Sequence, residues 1–177
     1  MKQQTDLELI DKARGGDPDS FAALAERHYL TVYRYAFRWS RSKEDAEDIT
    51  QEVFIKLAGK IHLFDKRSKF TTWLYRLTAN CAVDFVRKNS KWSHNKAAEP
   101  PKNELIASPN PGPENNVISK SILSVIDRLP KKQKEAVLLV FSEGMSHKEA
   151  AGVAGCAETT ISWRIFQAKR KLRKVLS

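Results

Sequence analysis

Three groups of residues have the types and spacing to do chemistry. The first is EDAEDITQEVF, residues 44–54, where Glu44, Asp45, Glu47, Asp48 and Glu52 place five carboxylates in nine positions with no base among them. Such a cluster could bind a metal ion, supply a general acid and base, or meet a cationic partner. The first two uses call for a histidine beside the acids or a glycine-rich phosphate loop, and the sequence offers neither. Drawn on a helix, Ala46, Ile49, Val53 and Leu57 make one apolar stripe, while Asp45, Asp48, Gln51, Glu52 and Ile55 fall on the other side. A solvated face and a docking face both fit this pattern.

The second group lies in residues 60–92. Aromatic Phe64, Phe70, Trp73, Tyr75, Phe85 and Trp92 alternate with Lys66, Arg67, Lys69, Arg76, Arg87, Lys88 and Lys91. Leu74, Leu77, Cys81 and Phe85 have the spacing of a core stripe. Trp73, Arg76 and Asn80 share a neighbouring face, and a basic loop precedes them. Aromatic rings beside a positive loop can hold single-stranded nucleic acid, each stacked base contributing about 1–3 kcal/mol. The plainer reading is that all of these rings are core.

The third group is a short helix, a glycine turn and a basic helix. Ser146 and Glu149 form a capping box, in which the serine side chain takes an early helix N–H and the glutamate reaches back to the cap. Gly155 ends that helix, and a second opens around Glu158, Thr159 and Thr160. This order is the helix-turn-helix pattern. On the second helix Ile161, Ile165, Ala168 and Leu172 make the core stripe, with Arg164 beside it. Ser162, Trp163, Phe166, Arg170 and Arg173 lie opposite, flanked by Gln167 and Lys169. A solvated basic helix has no need of Trp163 and Phe166. A groove-binding helix does: apolar groups meet thymine methyls, and Arg, Gln and Ser bond base edges or phosphates.

The elements that must position these groups read as helices throughout. Asp17-Pro18-Asp19-Ser20 starts one, followed by Phe21, Leu24, Ala25, Tyr29, Val32 and Ala36 at helical spacing. Another begins near Thr71 and runs toward Lys88. Val117 to Leu129 reads as a helix, Pro130 starts the next, and Gly144 ends it. No sustained alternation of period two occurs, so the expected fold class is all-α. Five of the seven prolines crowd into residues 93–116, a flexible linker between a unit at 1–92 and a unit at 117–177. The chain carries +10 overall, divided as +4, −1 and +7 among these three segments. The last unit is thus the stronger polyanion binder. The charged N-terminus lacks the apolar run of a secretory signal, and no stretch is apolar enough to span or insert into a membrane. Cys81 and Cys156 stand apart and read as reduced, buried side chains, which makes a cytoplasmic location the default. No metal, cofactor or catalytic residue is expected.

Taken together, these blocks resemble the extracytoplasmic-function (group 4) sigma factors of bacterial RNA polymerase. DAEDITQEVFIKL is similar to sigma region 2.2, and FTTWLYRLTANCAVDFVRK to regions 2.3–2.4. LPKKQKEAVLLVFSEGMSHKEAAGVAGCAETTISWRIFQAKRKL is similar to region 4. The resemblance implies that Asp45, Asp48, Gln51, Glu52 and Ile55 dock on the β′ clamp helices of core polymerase, with the β flap as a further contact. It implies that the melted −10 strand is captured by Lys56, the loop bearing Phe64, Lys66, Arg67, Lys69 and Phe70, and the helix bearing Thr72, Trp73, Arg76, Asn80, Arg87 and Lys88. A flipped base would enter between that loop and helix. The −35 duplex would be read by Glu158, Thr159, Thr160, Ser162, Trp163, Arg164, Phe166, Gln167, Lys169 and Arg170. Family members are commonly held by an anti-sigma factor. A linker of 24 residues reaches at most about 80 Å, enough for both units to engage one promoter.

Some positions depart from the family pattern. Thr159 stands where glycine is usual, Trp163 replaces a small residue, Ser162 a Lys or Arg, and Gln167 an Arg. These bear on which −35 sequence is read. No region 1.1, region 3 domain or C-terminal extension is expected. The competing class is a helix-turn-helix regulator that works without polymerase, which has no use for the acidic segment; a sigma mimic that sequesters a regulator would have no use for the DNA-facing residues.

Overall fold

The computed structural model describes residues 4–93 and 122–176. The chain divides into two compact units, Met1–Asn103 and Glu104–Ser177. From residue 94 onward, the linker expected over 93–116 lies outside the described residues. Every regular element described is helical.

The first unit is built from α1 (Asp6–Arg14), α2 (Pro18–Ser40), α3 (Lys43–Lys60) and α4 (Phe70–Ser93), with one 3₁₀ turn at Ile61–Leu63. Local chemistry sets the starts. Asp17 caps α2 by accepting from the Asp19 N–H, with Pro18 in the first turn, and Ser42 caps α3 by accepting from the Asp45 N–H. Helix α1 begins at a second capping box, Thr5 with Glu8, which the sequence reading did not identify.

Helix α2 packs against α1, α3 and α4, and α3 against α4. The stripe Ala46, Ile49, Val53 and Leu57 is fully buried, as its spacing predicts. Leu24, Val32, Tyr35, Ala36 and Trp39 of α2, Leu9 and Ile10 of α1, and Leu74, Leu77 and Cys81 of α4 join it in the core. On α2 the expected Leu24, Val32 and Ala36 are buried, but Tyr29 is exposed, and His28 and Tyr35 turn inward beside them. His28 can do so because its Nε2 meets Asp6 Oδ2 at 2.8 Å, which satisfies a ring nitrogen that burial would otherwise orphan.

In the second unit, α5 is described over 122–127, followed by α6 (Lys131–Val137), a wide turn at Leu138–Ser142, α7 (His147–Ala154) and α8 (Glu158–Leu176). The rest of the helix expected from Val117 lies outside the described residues. Pro130 caps α6 rather than opening it. The helix does not continue regularly to Gly144 as expected. It widens to i→i+5 spacing, with the Glu143 N–H bonded to the Leu138 carbonyl at 3.0 Å. Lys134 of α6 is buried and pairs with Asp127 of α5 at 2.9 Å. The core is Leu129, Ala136, Val137, Leu138, Leu139, Ala150, Val153, Ile161, Ile165 and Ala168. Cys81 is buried as expected; Cys156 is only half-buried, because it sits in the turn between α7 and α8.

Two neighbouring positions on α3 test this packing. Leu57→Ala is expected to lower the stability of the first unit by about 2–5 kcal/mol. Ile55→Ala, two residues away and 72% exposed, should change it by less than about 0.5 kcal/mol. Urea midpoints of the two variants check the contrast.

Candidate polymerase and nucleic-acid interfaces

Burial of its apolar stripe turns the acids of α3 outward. Glu44, Glu47, Asp48, Gln51 and Ile55 are exposed, and Asp45 and Glu52 are half-buried. Asp45 lies in the first turn, where the helix dipole favours an anion. Burial nevertheless pushes its carboxyl above the usual range, with Asp48 and Glu44 adding repulsion. Ionised, it is therefore held at a cost in the isolated unit. A cationic surface laid on this face would relieve that cost.

Sequence reasoning missed an aromatic strip beside these acids. Tyr29 stacks on Phe54 at 6.1 Å and on Tyr33 at 6.4 Å, and Tyr33 continues to Phe37 at 6.4 Å. Burial raises the Tyr33 hydroxyl pKa, and Glu47 raises it further, which sets the strip against the acidic face. Leu30 is 52% exposed on the same helix as Tyr29. The signal was present as Tyr29 and Tyr33 four residues apart, but Tyr29 has the spacing of the core stripe and Tyr33 was not singled out.

The second surface surrounds the loop between the 3₁₀ turn and α4. Phe64 and Phe70 bracket it and are both buried, with rings 5.6 Å apart, edge to face. This corrects the expectation that these two rings face a nucleic-acid strand. A five-residue polar loop cannot shield two phenyl rings from water, so they turn inward and pin its ends. Phe64 and Phe70 instead support Trp73, at 5.7 and 6.2 Å. Trp73 is half-buried, and Arg76 and Asn80 are exposed one and two turns further along α4. Thr72 is half-buried; Arg87 and Lys88 are exposed farther down the helix.

The loop cations already have partners. Lys66 Nζ lies 2.8 Å from Asp11, and the Arg67 side chain bonds Asp65. Asp65 also accepts the Arg67 backbone N–H, and these bonds hold its carboxyl below the usual range. Lys56 Nζ lies 2.7 Å from Glu52, a bond that raises its pKa. Lys56 also meets Cys81 of α4. Lys69 is exposed at the start of α4.

The third surface is the helix-turn-helix. The Ser146–Glu149 capping box forms, and Gly155 takes a left-handed conformation, φ 62°, that lets the chain reverse into α8. Ile161, Ile165 and Ala168 are buried, and Leu172 is half-buried. Glu158, Thr159, Ser162, Trp163, Phe166, Lys169 and Arg170 are exposed; Thr160, Arg164 and Gln167 are half-buried. Trp163 and Phe166 stack at 5.8 Å and are 59% and 53% exposed. Lys169 sits 5.3 Å over the ring of Phe141, an exposed aromatic the sequence reading placed only within its helix. Two members of the expected reading face are partly withdrawn from it. One guanidinium nitrogen of Arg164, Nη1, is buried with no hydrogen-bond partner. Ser162 Oγ is held within the unit, 2.8 Å from His147 Nδ1 and 3.2 Å from the Glu158 carbonyl.

No group of three or more His, Cys, Asp or Glu side chains placed to hold a metal ion occurs among the described residues. No described helix is long and apolar enough to cross a membrane.

Residues 24–91 match the model of Sigma-70 region 2, and residues 119–172 that of Sigma-70 region 4. The chain is 30% identical over 177 residues to the ECF RNA polymerase sigma factor SigW of Bacillus subtilis, covering 94% of each chain. It is 28% identical to the ECF RNA polymerase sigma-E factor of Escherichia coli, covering 97% of this chain and 94% of that one. It spans 62% of the length of SigE from Mycolicibacterium smegmatis and 65% of BldN from Streptomyces coelicolor, at 30% identity to each. Among solved structures, the fold is shared with the sigma factor RpoE bound to the anti-sigma factor NepR from Bartonella quintana, at TM-score 0.69 and 22% identity over 88% of this chain and 96% of that one. CnrH, solved with the cytosolic domain of CnrY, gives a TM-score of 0.68 at 23% identity, over 95% and 94% of the two chains.

The raised Asp45 carboxyl makes a signed prediction. The folded unit binds this proton more tightly than the unfolded chain does, so ionised Asp45 costs stability above the raised value. That cost disappears as pH falls to the ordinary carboxylate value of about 3.9. Asp45→Asn is therefore expected to raise the urea midpoint at pH 7, with the gain closing as pH is lowered through the window between the two values. A gain that stays constant down to pH 3 would contradict this.

Proposed function

The chain belongs to the extracytoplasmic-function sigma factors of the sigma-70 family, and from that premise we propose that it binds core RNA polymerase and directs promoter-specific initiation in the cytoplasm. It acts as an initiation factor rather than an enzyme; RNA synthesis stays with the polymerase. The observation that carries this reading is the separation of charge: a carboxylate face on α3 and an aromatic, basic face on α8. A chain that only gripped DNA would gain nothing from the first. A factor that must meet both a cationic protein surface and a polyanion needs both, and opposed charges keep each surface off the other's partner.

In this reading residues 1–92 dock and open the promoter, 93–116 link, and 117–177 read the −35 element. Asp45, Asp48, Gln51, Glu52 and Ile55 meet the β′ clamp helices, and the Tyr29–Phe54 strip extends that contact. Trp73 offers its open side to an unstacked base beside Arg76 and Asn80, with Phe64 and Phe70 behind it as fixed support. Preorganising the ring matters because unstacking a base costs a few kcal/mol, which stacking must offset. In the −35 groove the Trp163–Phe166 pair supplies apolar contact with thymine methyls, while Gln167, Lys169 and Arg170 bond base edges or phosphates. An inhibitor of the anti-sigma kind, as bound by the Bartonella quintana RpoE, is the expected regulator.

The direct experiment is transcription from fragmented bacterial genomic DNA with core polymerase, with and without this protein, mapping RNA 5′ ends. New starts that share −35 and −10 sequences are expected. Failure to bind core would return the protein to the class of plain helix-turn-helix regulators. Asp48→Arg is expected to abolish core binding while leaving duplex binding by the second unit intact. Trp163→Ala should reduce discrimination at one or two −35 positions by about 1–3 kcal/mol each, with core binding unchanged.

A further inference from the structure

Helix α1 lies outside the residues matched to region 2, which begin at 24. It is nevertheless tied to the loop that brackets Trp73. Asp11 presents both carboxylate oxygens to Lys66 Nζ, Oδ1 at 2.8 Å and Oδ2 at 2.9 Å. Arg14, three residues on, donates from Nε to the Ile61 carbonyl at 3.1 Å and keeps its guanidinium 3.9 Å from Asp11. At the other end of α1, Asp6 bonds Arg27 at 2.6 Å and His28 at 2.8 Å. The His28 ring meets Phe70, the residue that closes the loop, edge to face at 5.3 Å. The helix thus holds the loop before, within and after its exposed residues.

The tie at Lys66 differs from the others. Lys66 adopts φ 62°, a left-handed conformation unusual for a side-chain-bearing residue, and this sends its side chain back to a helix 55 residues away. A carboxylate that meets an ammonium through both oxygens copies the way a phosphate meets it. The pair is open to water, with Lys66 42% and Asp11 53% exposed, so an arriving phosphate can exchange for the carboxylate without unfolding anything.

We propose that Asp11 is an internal stand-in for the nucleic-acid phosphate at Lys66, so that α1 keeps the loop shaped for a strand while lowering its attraction for stray polyanions. This rests on the reading of the loop as a single-strand surface. The interaction is local and competitive: a strand gains Lys66 only by displacing Asp11. Arg67, held by Asp65 from within the loop, is covered in a way that does not involve α1.

The test is the affinity of the full-length chain for a labelled oligothymidylate at low salt, read by fluorescence anisotropy, as a double-mutant cycle. Asp11→Asn is expected to bind about two- to five-fold more tightly than the parent, the range set by one exposed ion pair. Lys66→Gln should bind more weakly, and adding Asp11→Asn to it should change nothing further. If Asp11→Asn strengthens binding equally in the Lys66→Gln background, the effect is general charge and the proposal is wrong. If Lys66→Gln weakens binding but Asp11→Asn leaves it at or below the parent's, the proposal fails and the reading of the loop survives. If Lys66→Gln leaves affinity unchanged, the loop reading fails and the proposal falls with it.

Discussion

One apolar stripe governs the first unit. Ala46, Ile49, Val53 and Leu57 are wholly buried against α2 and α4, and each large side chain among them contributes about 1.5–3 kcal/mol by leaving water. That burial fixes the rotation of α3. Once it is fixed, the opposite side has nowhere to go but outward, and the opposite side is acidic. The proposed docking face is therefore a consequence of the core. The acids add little to stability, and Asp45 works against it. A face kept at a cost to the fold is what a binding surface looks like.

The loop ahead of α4 follows a different rule. Its middle is polar and exposed, so packing alone cannot order it. Buried Phe64 and Phe70 hold its two ends, and ion pairs from Asp11 and Asp65 hold its cations. The two phenyl rings that flank the loop are consumed as anchors. Trp73 is only half-buried, and it gains a fixed position from the two rings behind it. A preorganised ring loses less freedom when a base stacks on it, which favours binding.

The second unit separates position from readout on α8. Ile161, Ile165 and Ala168 bind the helix to α6 and α7, while Trp163 and Phe166 stack in the open. Ser162 is occupied by His147 and the Glu158 carbonyl, and Arg164 is half-turned into the unit. Both sit next to the reading face and restrain the helix that carries it. The proposed −35 preference thus rests on fewer side chains than a helical wheel suggests, and apolar contact takes a larger share.

Much of the protein was legible in its residues. The α3 stripe, the Asp17 and Ser146 caps, the Gly155 turn and the core face of α8 all follow from short-range rules, because helix periodicity and capping depend on neighbours within four positions. So did the fold class and the family. What escaped were outcomes of long-range packing. Tyr29 has the spacing of a core residue but stays exposed, because it lies against Phe54 at the margin of the α2–α3 contact. Phe64 and Phe70 read as surface rings beside bases, yet no local rule says which aromatics a loop will bury. The wide turn at Leu138–Ser142 has no sequence punctuation. The Thr5 capping box was present but unread. The Asp11–Lys66 pair joins residues that only the packing of α1 brings within 3 Å. Sequence by itself determined helices α3, α7 and α8 and the side of each that avoids water; tertiary structure decided the packing of α1, the margins of α2 and which other side chains stay exposed, because those depend on what each helix meets.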